Sequence, residues 1–471
     1  MGTAKQGAAV AAWEHHARRR GTVGVSLDAS APWLREAFAW ARQQALAYVF
    51  VEEPLGPWYE AALPGREAFC VRDVCHQSAG AQVLGLSAHT KNMLGRFAAS
   101  VSAAKDWCAY WEITRQGTPA AVDYRNDADF WYNLPGNFDL VQACYRQFLW
   151  TGDGAYLVDP VFRRFYARTL GAFVARWDKD GDGFLEHRPQ YGRRGIATYN
   201  EQIAHPMIGG DLLAAQFAAL RAFAGMEAVR GDLGSARMWR RRAEVLRTQY
   251  NQQWWDTQRA GFYSYRRQDG TLAHEYGYEA NFLPLYFHLV SGRTRTRRAV
   301  DALLAHPPLN IEGYTYAVDI LLAHGRVAEA CAWMRRFAHP AYPRADYPEV
   351  SFSVIGACVR GIAGIVADAA RSVLRTAARL PPDIAWLQVG PLPVLGTSVT
   401  VHHEGWNRSV LTNGGNRALV WRAAFAGHEG RLRVNGELAP RVHRAYWRGN
   451  WYVFVDQPVD CGQSCSVQRC P

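Results

Sequence analysis

Lysine is nearly missing from this chain. Of 471 residues, 53 are basic, and only Lys5, Lys91, Lys105 and Lys179 among them are lysine. The formal net charge of +11 is therefore an arginine charge. It is also dispersed, the densest runs being Arg18–Arg20, Arg240–Arg242 and Arg295–Arg298. A nucleic-acid binder gathers its cations on one face, so no nucleic-acid partner is expected. Long apolar runs are lacking too: none reaches the roughly 18 residues of a membrane span, so no membrane partner is expected either. Met1–Ser30 has no apolar core of the kind a secretory signal carries. That reads as cytoplasmic if the N-terminus is native, and as periplasmic or secreted if it is truncated. The nine cysteines are odd in number and irregularly spaced, which excludes a complete disulfide framework. Those inside apolar helical patterns read as buried thiols. Cys461, Cys465 and Cys470 lack a fourth ligand and a zinc spacing. No metal and no cofactor is expected.

Aromatics are abundant: 18 Trp, 22 Tyr and 20 Phe. Hydrophobic residues at 49% and charged residues at 20% exclude wholesale disorder. Flat amphipathic rings in excess suit flat amphipathic ligands, of which sugars are one class.

From Pro32 to about Gly364 apolar residues recur in steps of three and four, as in Met93, Phe97, Val101, Ala104, Cys108 and Trp111. The pattern predicts twelve helices, near 33–51, 76–86, 90–113, 137–151, 160–177, 207–229, 233–254, 279–291, 294–305, 315–325, 327–338 and 351–366. Long, aromatic-rich connections follow every odd helix, and short ones follow the even helices. Six hairpins in a ring would put all the long loops on one rim, and loops on one rim make one functional face. The fold class expected is mainly α, an (α/α)6 barrel of six helical hairpins. After Pro381 the pattern turns β-branched and alternating, with Val434-Asn435-Gly436 as a strand entering a tight turn. This predicts a small C-terminal antiparallel β-sandwich. The expected divisions are 1–31 as a poorly ordered or truncated segment, 32–380 as the barrel, 381–457 as the sandwich and 458–471 as a disordered tail.

The six long loops carry acids, arginines and aromatics. Arg72-Asp73, with His76 close behind, ends the first. The pair reads either as a rigid grip on two sugar hydroxyls or as an ion pair capping the next helix. The second loop holds Asp127, Asp129, Trp131 and Tyr132, stacking surfaces beside carboxylates. The third opens Asp178-Lys-Asp-Gly-Asp-Gly183, which imitates a calcium loop, but Pro189 stands where the bidentate Glu is needed. It continues through Glu186 to Tyr199, Asn200, Glu201 and His205. The fourth ends at Glu279, the fifth holds Glu312 and Tyr314, and the sixth holds Arg344, Asp346 and Glu349.

Phe69-Cys-Val-Arg-Asp73, Trp131-Tyr132, Asp180-Gly-Asp-Gly183 and Tyr347-Pro-Glu349 resemble the rim segments of the six-hairpin glycosidases, the group of glucoamylase-like and α-L-rhamnosidase-like barrels. His403-Glu-Gly405, Leu411-Thr-Asn413 and Val434-Asn-Gly436 resemble the β-sandwich that trails several of them. A narrower resemblance is to the branch with glycoside hydrolase family 154, exo-acting β-glucuronidases. Relatives commonly carry an N-terminal β-sandwich, for which only about 30 residues precede the barrel here. The resemblance implies an exo-acting glycoside hydrolase with a saccharide as partner, using paired carboxylates with inversion. It implies a proton donor after helix 5, Glu201 or Glu186, and a base after helix 11, Glu349 or Asp346. Arg72 and Asp73 would grip the sugar, with His76, Trp131, Tyr132, Tyr199, Glu279, Glu312, Tyr314 and Arg344 around it. Arg72, Arg344 or Arg125 could pair the carboxylate of a uronic acid. Two alternatives stand beside this. One is a polysaccharide lyase using Tyr199, His205 or His76. The other is a non-catalytic sugar-binding barrel.

Overall fold

The computed structural model describes residues 24–470 apart from 204, 448 and 449. Twelve helices organise the first three-quarters of it. They are α1 (Pro32–Ala47), α2 (Val71–Ala81), α3 (Ser87–Ser100), α4 (Pro135–Thr151), α5 (Pro160–Arg168, prolonged to Trp177 through a π-helical turn), α6 (Gly210–Val229), α7 (Leu233–Gln253), α8 (Glu279–Tyr286), α9 (Arg293–Ala305), α10 (Ile311–Ala323), α11 (Val327–Phe337) and α12 (Pro348–Gly356). Local chemistry sets several starts. Proline occupies the first turn of α1, α4, α5 and α12, where its missing N–H costs nothing. Asp159, Asp232 and Asn310 cap α5, α7 and α10 with side-chain oxygens.

The even-numbered helices touch one another in a closed cycle, α2–α4–α6–α8–α10–α12–α2, and the odd ones pack outside. Composition explains the division. Helix α6 is buried on nearly every side, as a helix apolar all round must be, whereas α7 buries only Ala236, Ala243, Leu246, Tyr250 and Asn251. Among the described residues α6 is also long and apolar enough to cross a membrane, contrary to the expectation from apolar runs. Its burial within the ring accounts for that composition.

Each long loop runs into the N-terminal end of an inner helix. The helix starts differ from the sequence reading in ways that matter. Helix α2 begins at Val71, so Arg72 and Asp73 form its first turn. Helix α12 begins at Pro348, so Glu349 does the same there.

The C-terminal strands form two sheets. The larger is ordered 26–29, 386–394, 397–404, 408–413, 464–469, 432–434, 437–438, and the smaller 366–368, 373–376, 419–426, 450–459, 443–447. Three expectations are corrected here. Ser26–Ala29, expected to be poorly ordered, pairs with Leu387–Gly390. Ser464–Arg469, expected to be disordered, pairs with Arg408–Thr412 and buries Cys465 and Val467. The arrangement is not wholly antiparallel, since Val373–Thr376 runs parallel to Val420–Ala423. The two short segments have too few apolar residues to signal strands alone, and sheet neighbours supply the burial. The described cysteines are all free, six of them buried among the helices and Cys465 in the sheet.

Candidate active site

Five of the six inner helices carry an acid in the first turn: Asp73, Asp211, Glu279, Glu312 and Glu349. Exposed N–H groups and the helix dipole favour a carboxylate at that position. The ring brings these ends together. Against these ends lies a cavity of about 200 Å³, which Glu279 and Glu312 of the five acids line. Arg72, Tyr199, Asn200, Glu201, Glu279, Glu312 and Arg344 all line it, so seven of the residues singled out from the sequence converge there from five loops.

Arg72 spans the site. Its Nε donates to Asp73 Oδ1 at 3.2 Å, and its guanidinium lies 5.6 Å from the centre of the Tyr199 ring. Glu349 is 1% exposed. Its Oε1 is 3.4 Å from Thr315 Oγ1, and its Oε2 has no hydrogen-bond partner among the described residues. His76 Nε2 is 3.9 Å from the same carboxylate. That contact is not an ion pair, because burial holds the imidazole well below its ordinary range and therefore neutral. His76 is fixed instead by stacking on Tyr316 at 3.7 Å and by 3.1 Å contacts to Thr315 and Ser353. Arg344 pairs with Glu312 at 3.0 Å and also bonds Tyr347.

Burial dominates the acid–base properties of the site. It pushes Asp73 up to about 6 against the pull of Arg72, and Glu279 up to about 7. Burial first, and the charge of Asp73 second, push Glu349 well above the usual carboxylate range. The cavity thus has Glu201 exposed at its wall, while Asp73 and Glu349 are buried and do not line it.

Other expected residues lie elsewhere. Glu186 is buried in an ion pair with Arg188 at 2.8 Å, while the Asp346 side chain is exposed. Tyr132 is wholly buried, its hydroxyl donating to Asn137 at 2.5 Å, so it offers no stacking face. Trp131 is half-buried and does not line the cavity. Tyr314 packs against Trp333 at 5.2 Å, and Arg125 is bound to Asp129 on the surface. Asp178, Asp180 and Asp182 lie together, but their oxygens accept N–H bonds from their own turn.

Sequence reasoning missed Asp139, Asp211 and Tyr278. Tyr199 donates from its hydroxyl to Asp139 at 2.6 Å and from its N–H to Asp211 at 2.5 Å. Tyr278 lines the cavity at a φ of 46°. The first two left a legible signal, a lone acid inside an apolar helical run: Phe138-Asp139-Leu140 and Gly210-Asp211-Leu212.

A closed ring of inner helices thus gathers carboxylates and a guanidinium at their N-terminal ends. Residues 169–312, from α5 into α10, match the model of the mannosylglycerate hydrolase MGH1-like glycoside hydrolase domain. That segment contains Glu201, Glu279 and Glu312. The α-L-rhamnosidase from Dictyoglumus thermophilum superposes with a TM-score of 0.65 at 11% identity, over 95% of this chain and 50% of that one. The GH78-family rhamnosidase of Bacillus sp. GL1 gives 0.60 at 15% identity, over 82% and 40%. A rhamnosidase from Klebsiella oxytoca with rhamnose bound gives 0.53 at 14% identity, over 72% and 66%. No curated protein matches the sequence. The chain spans half or less of the first two structures. Residues 169–312 are thus similar to a glycoside hydrolase domain, and the likeness to the rhamnosidases, at 15% identity or below, shows a shared fold. These findings do not extend to the family 154 branch.

Proposed function

We propose that the helical ring is an (α/α)6 barrel and that the chain is an exo-acting, inverting glycoside hydrolase. The observation that carries the reading is the convergence of Glu201, Glu279, Glu312 and Arg72 on one small cavity, with the buried Glu349 behind its lining, close enough to Arg72 and Glu312 to feel their charge. At about 200 Å³ the cavity is smaller than the ~300–1,000 Å³ of ordinary ligand pockets, which suits one terminal sugar better than an extended chain.

A cavity with room for one sugar fixes the direction of the reaction. The terminal sugar fills the cavity and the rest of the substrate leaves through the mouth. The group that protonates the leaving oxygen must stand near the mouth, where Glu201 is. The group that activates water must stand deeper, and the buried Glu349 is the candidate. Low solvation makes Glu349 a stronger base than a free carboxylate, as a general base working near neutrality requires. Inversion needs the two carboxyls ~6.5–9.5 Å apart, with water between base and sugar. Arg72, fixed by Asp73 and Tyr199, would hold ring hydroxyls or, with Arg344, the carboxylate of a uronic acid.

Glu349→Gln and Glu201→Gln should each cut turnover by at least about 10³-fold, in line with the loss of a paired acid or base, while circular dichroism stays unchanged. Full activity in both would sink the assignment. Proton NMR of the first product should show the inverted anomer. A panel of aryl glycosides including a glucuronide and a rhamnoside identifies the sugar. An unsaturated, ultraviolet-absorbing product would instead mark a lyase.

A further inference from the structure

A second concavity lies in the β region, away from the acidic cavity. It is an open groove of about 630 Å³, walled by Asn407, Glu429, Arg431, Arg444 and Arg469. The arginines come from separate elements of both sheets. Arg431 leads into Leu432–Val434 and Arg469 ends Ser464–Arg469, both in the larger sheet, while Arg444 belongs to His443–Trp447 in the smaller one.

Arg469 is built into place. It donates to the backbone oxygens of Ala426 at 2.5 Å and Glu429 at 2.7 Å. Gly427 and Gly430 cradle it: a Cβ on either would stand 2.9 Å from a guanidinium nitrogen. Both glycines hold a positive φ, +119° and +148°, which a side chain would strain. Its acceptors are neutral carbonyls, so its charge is oriented without being cancelled. None of the three arginines has an ion-pair partner among the described residues, and Glu429 is the one acid on the wall. Trp406, next to Asn407, is 63% exposed in the turn that borders the groove. Arginine forks bind carboxylates and sulfates bidentately, and an exposed indole offers a stacking face.

We propose that this groove is an accessory binding site for an acidic saccharide, whose anionic groups pair with Arg431, Arg444 and Arg469 beside Trp406. The preference for a sugar over another polyanion rests on the glycosidase reading. The site would hold the body of a substrate whose end is cut elsewhere on the same chain.

The test is binding of the full chain to polygalacturonate by calorimetry at about 0.15 M salt, where diffuse attraction is screened. Dextran serves as the neutral control and single-stranded DNA as the competing polyanion. Binding to polygalacturonate but not dextran is expected. Trp406→Ala and the double variant Arg431→Ala/Arg444→Ala should each weaken it by at least about tenfold. Their circular dichroism and their hydrolysis of small aryl glycosides should match the parent. Absence of binding, equal binding to DNA, or parental affinity in both variants would overturn the proposal. Binding is read apart from turnover, so a chain that binds polygalacturonate and hydrolyses nothing would refute the hydrolase reading alone.

Discussion

Tyr199 is held between two carboxyl groups, Asp139 at its hydroxyl and Asp211 at its backbone N–H. Two residues further on stands Glu201, so these buried acids fix the loop that lines the mouth. Each also retains an oxygen with no hydrogen-bond partner among the described residues. Burial raises Asp139 to about 7 and Asp211 to about 6, from an ordinary 3.8. The sign of the consequence follows. Between about pH 4 and 7 the folded chain holds protons that the unfolded chain has released, so stability falls as pH rises through that window. Asp139→Asn keeps an acceptor for the Tyr199 hydroxyl and removes the titration. It should raise stability near neutral pH, by about 1.4 kcal/mol for every tenfold by which folding tightens the hold on the Asp139 proton, and leave it little changed near pH 4. Melting temperatures across that range check this, and a profile parallel to the parent's would contradict it. The same logic applies to the catalytic proposal. Glu349 must be ionised to act as base, so the acid limb of kcat/KM should lie above the ordinary carboxylate range. A limb at the ordinary value would count against Glu349 as base.

Helices α2 and α12 close the ring and carry Arg72 and Asp73 on one side and Glu349 on the other. They approach through glycine. A Cβ on Gly80 would lie 1.9 Å from the Phe352 backbone oxygen, so nothing larger fits without parting the helices. Gly356 lies across from Gly80, but its nearest neighbour would be 3.6 Å away, an ordinary contact. Gly80→Ala should therefore cost about 1–3 kcal/mol by overpacking and lower turnover by shifting α2 against α12. Gly356→Ala should be neutral or gain up to about 1 kcal/mol from helix propensity. Chemical denaturation with parallel activity assays separates them, and equal effects would refute the close-approach argument. Sequence periodicity located all twelve of these helices. It did not register Gly80, because a glycine in an apolar helix looks the same whether its missing Cβ faces solvent or another backbone.

The helical and β regions share one core. Apolar contacts run unbroken from Val25 through the inner helices to Val467. Trp150 at the end of α4 donates from Nε1 to the Pro393 oxygen at 2.8 Å and accepts from Leu395 N–H at 2.8 Å. Ser26–Ala29 then joins the chain's beginning to the sheet near its end. Calorimetry should show one unfolding transition, with calorimetric and van't Hoff enthalpies in agreement. Two separated transitions would mean that the regions fold as independent domains. The sequence put the change from helix to strand near Pro381, after the strands Val366–Asp368 and Val373–Thr376 had already begun the smaller sheet, and it did not show this union, since hydrogen bonds between residues more than 350 positions apart leave no local pattern.

The sequence by itself determined the helical repertoire, the alternation of long and short connections, and the loops on which acids, arginines and aromatics gather. Those properties are local: period, capping residues and loop length can each be read within a few tens of residues. Only the tertiary structure decided which loop residues face one another. It buried Glu349 and left Asp346, three residues earlier, in solvent. It sent Tyr132 into the core and Glu186 into an ion pair, and it brought forward Asp139 and Asp211. Facing depends on helix phase and on packing around a closed ring, and burial, the main source of the raised carboxyl pKa values, exists only once that ring is formed.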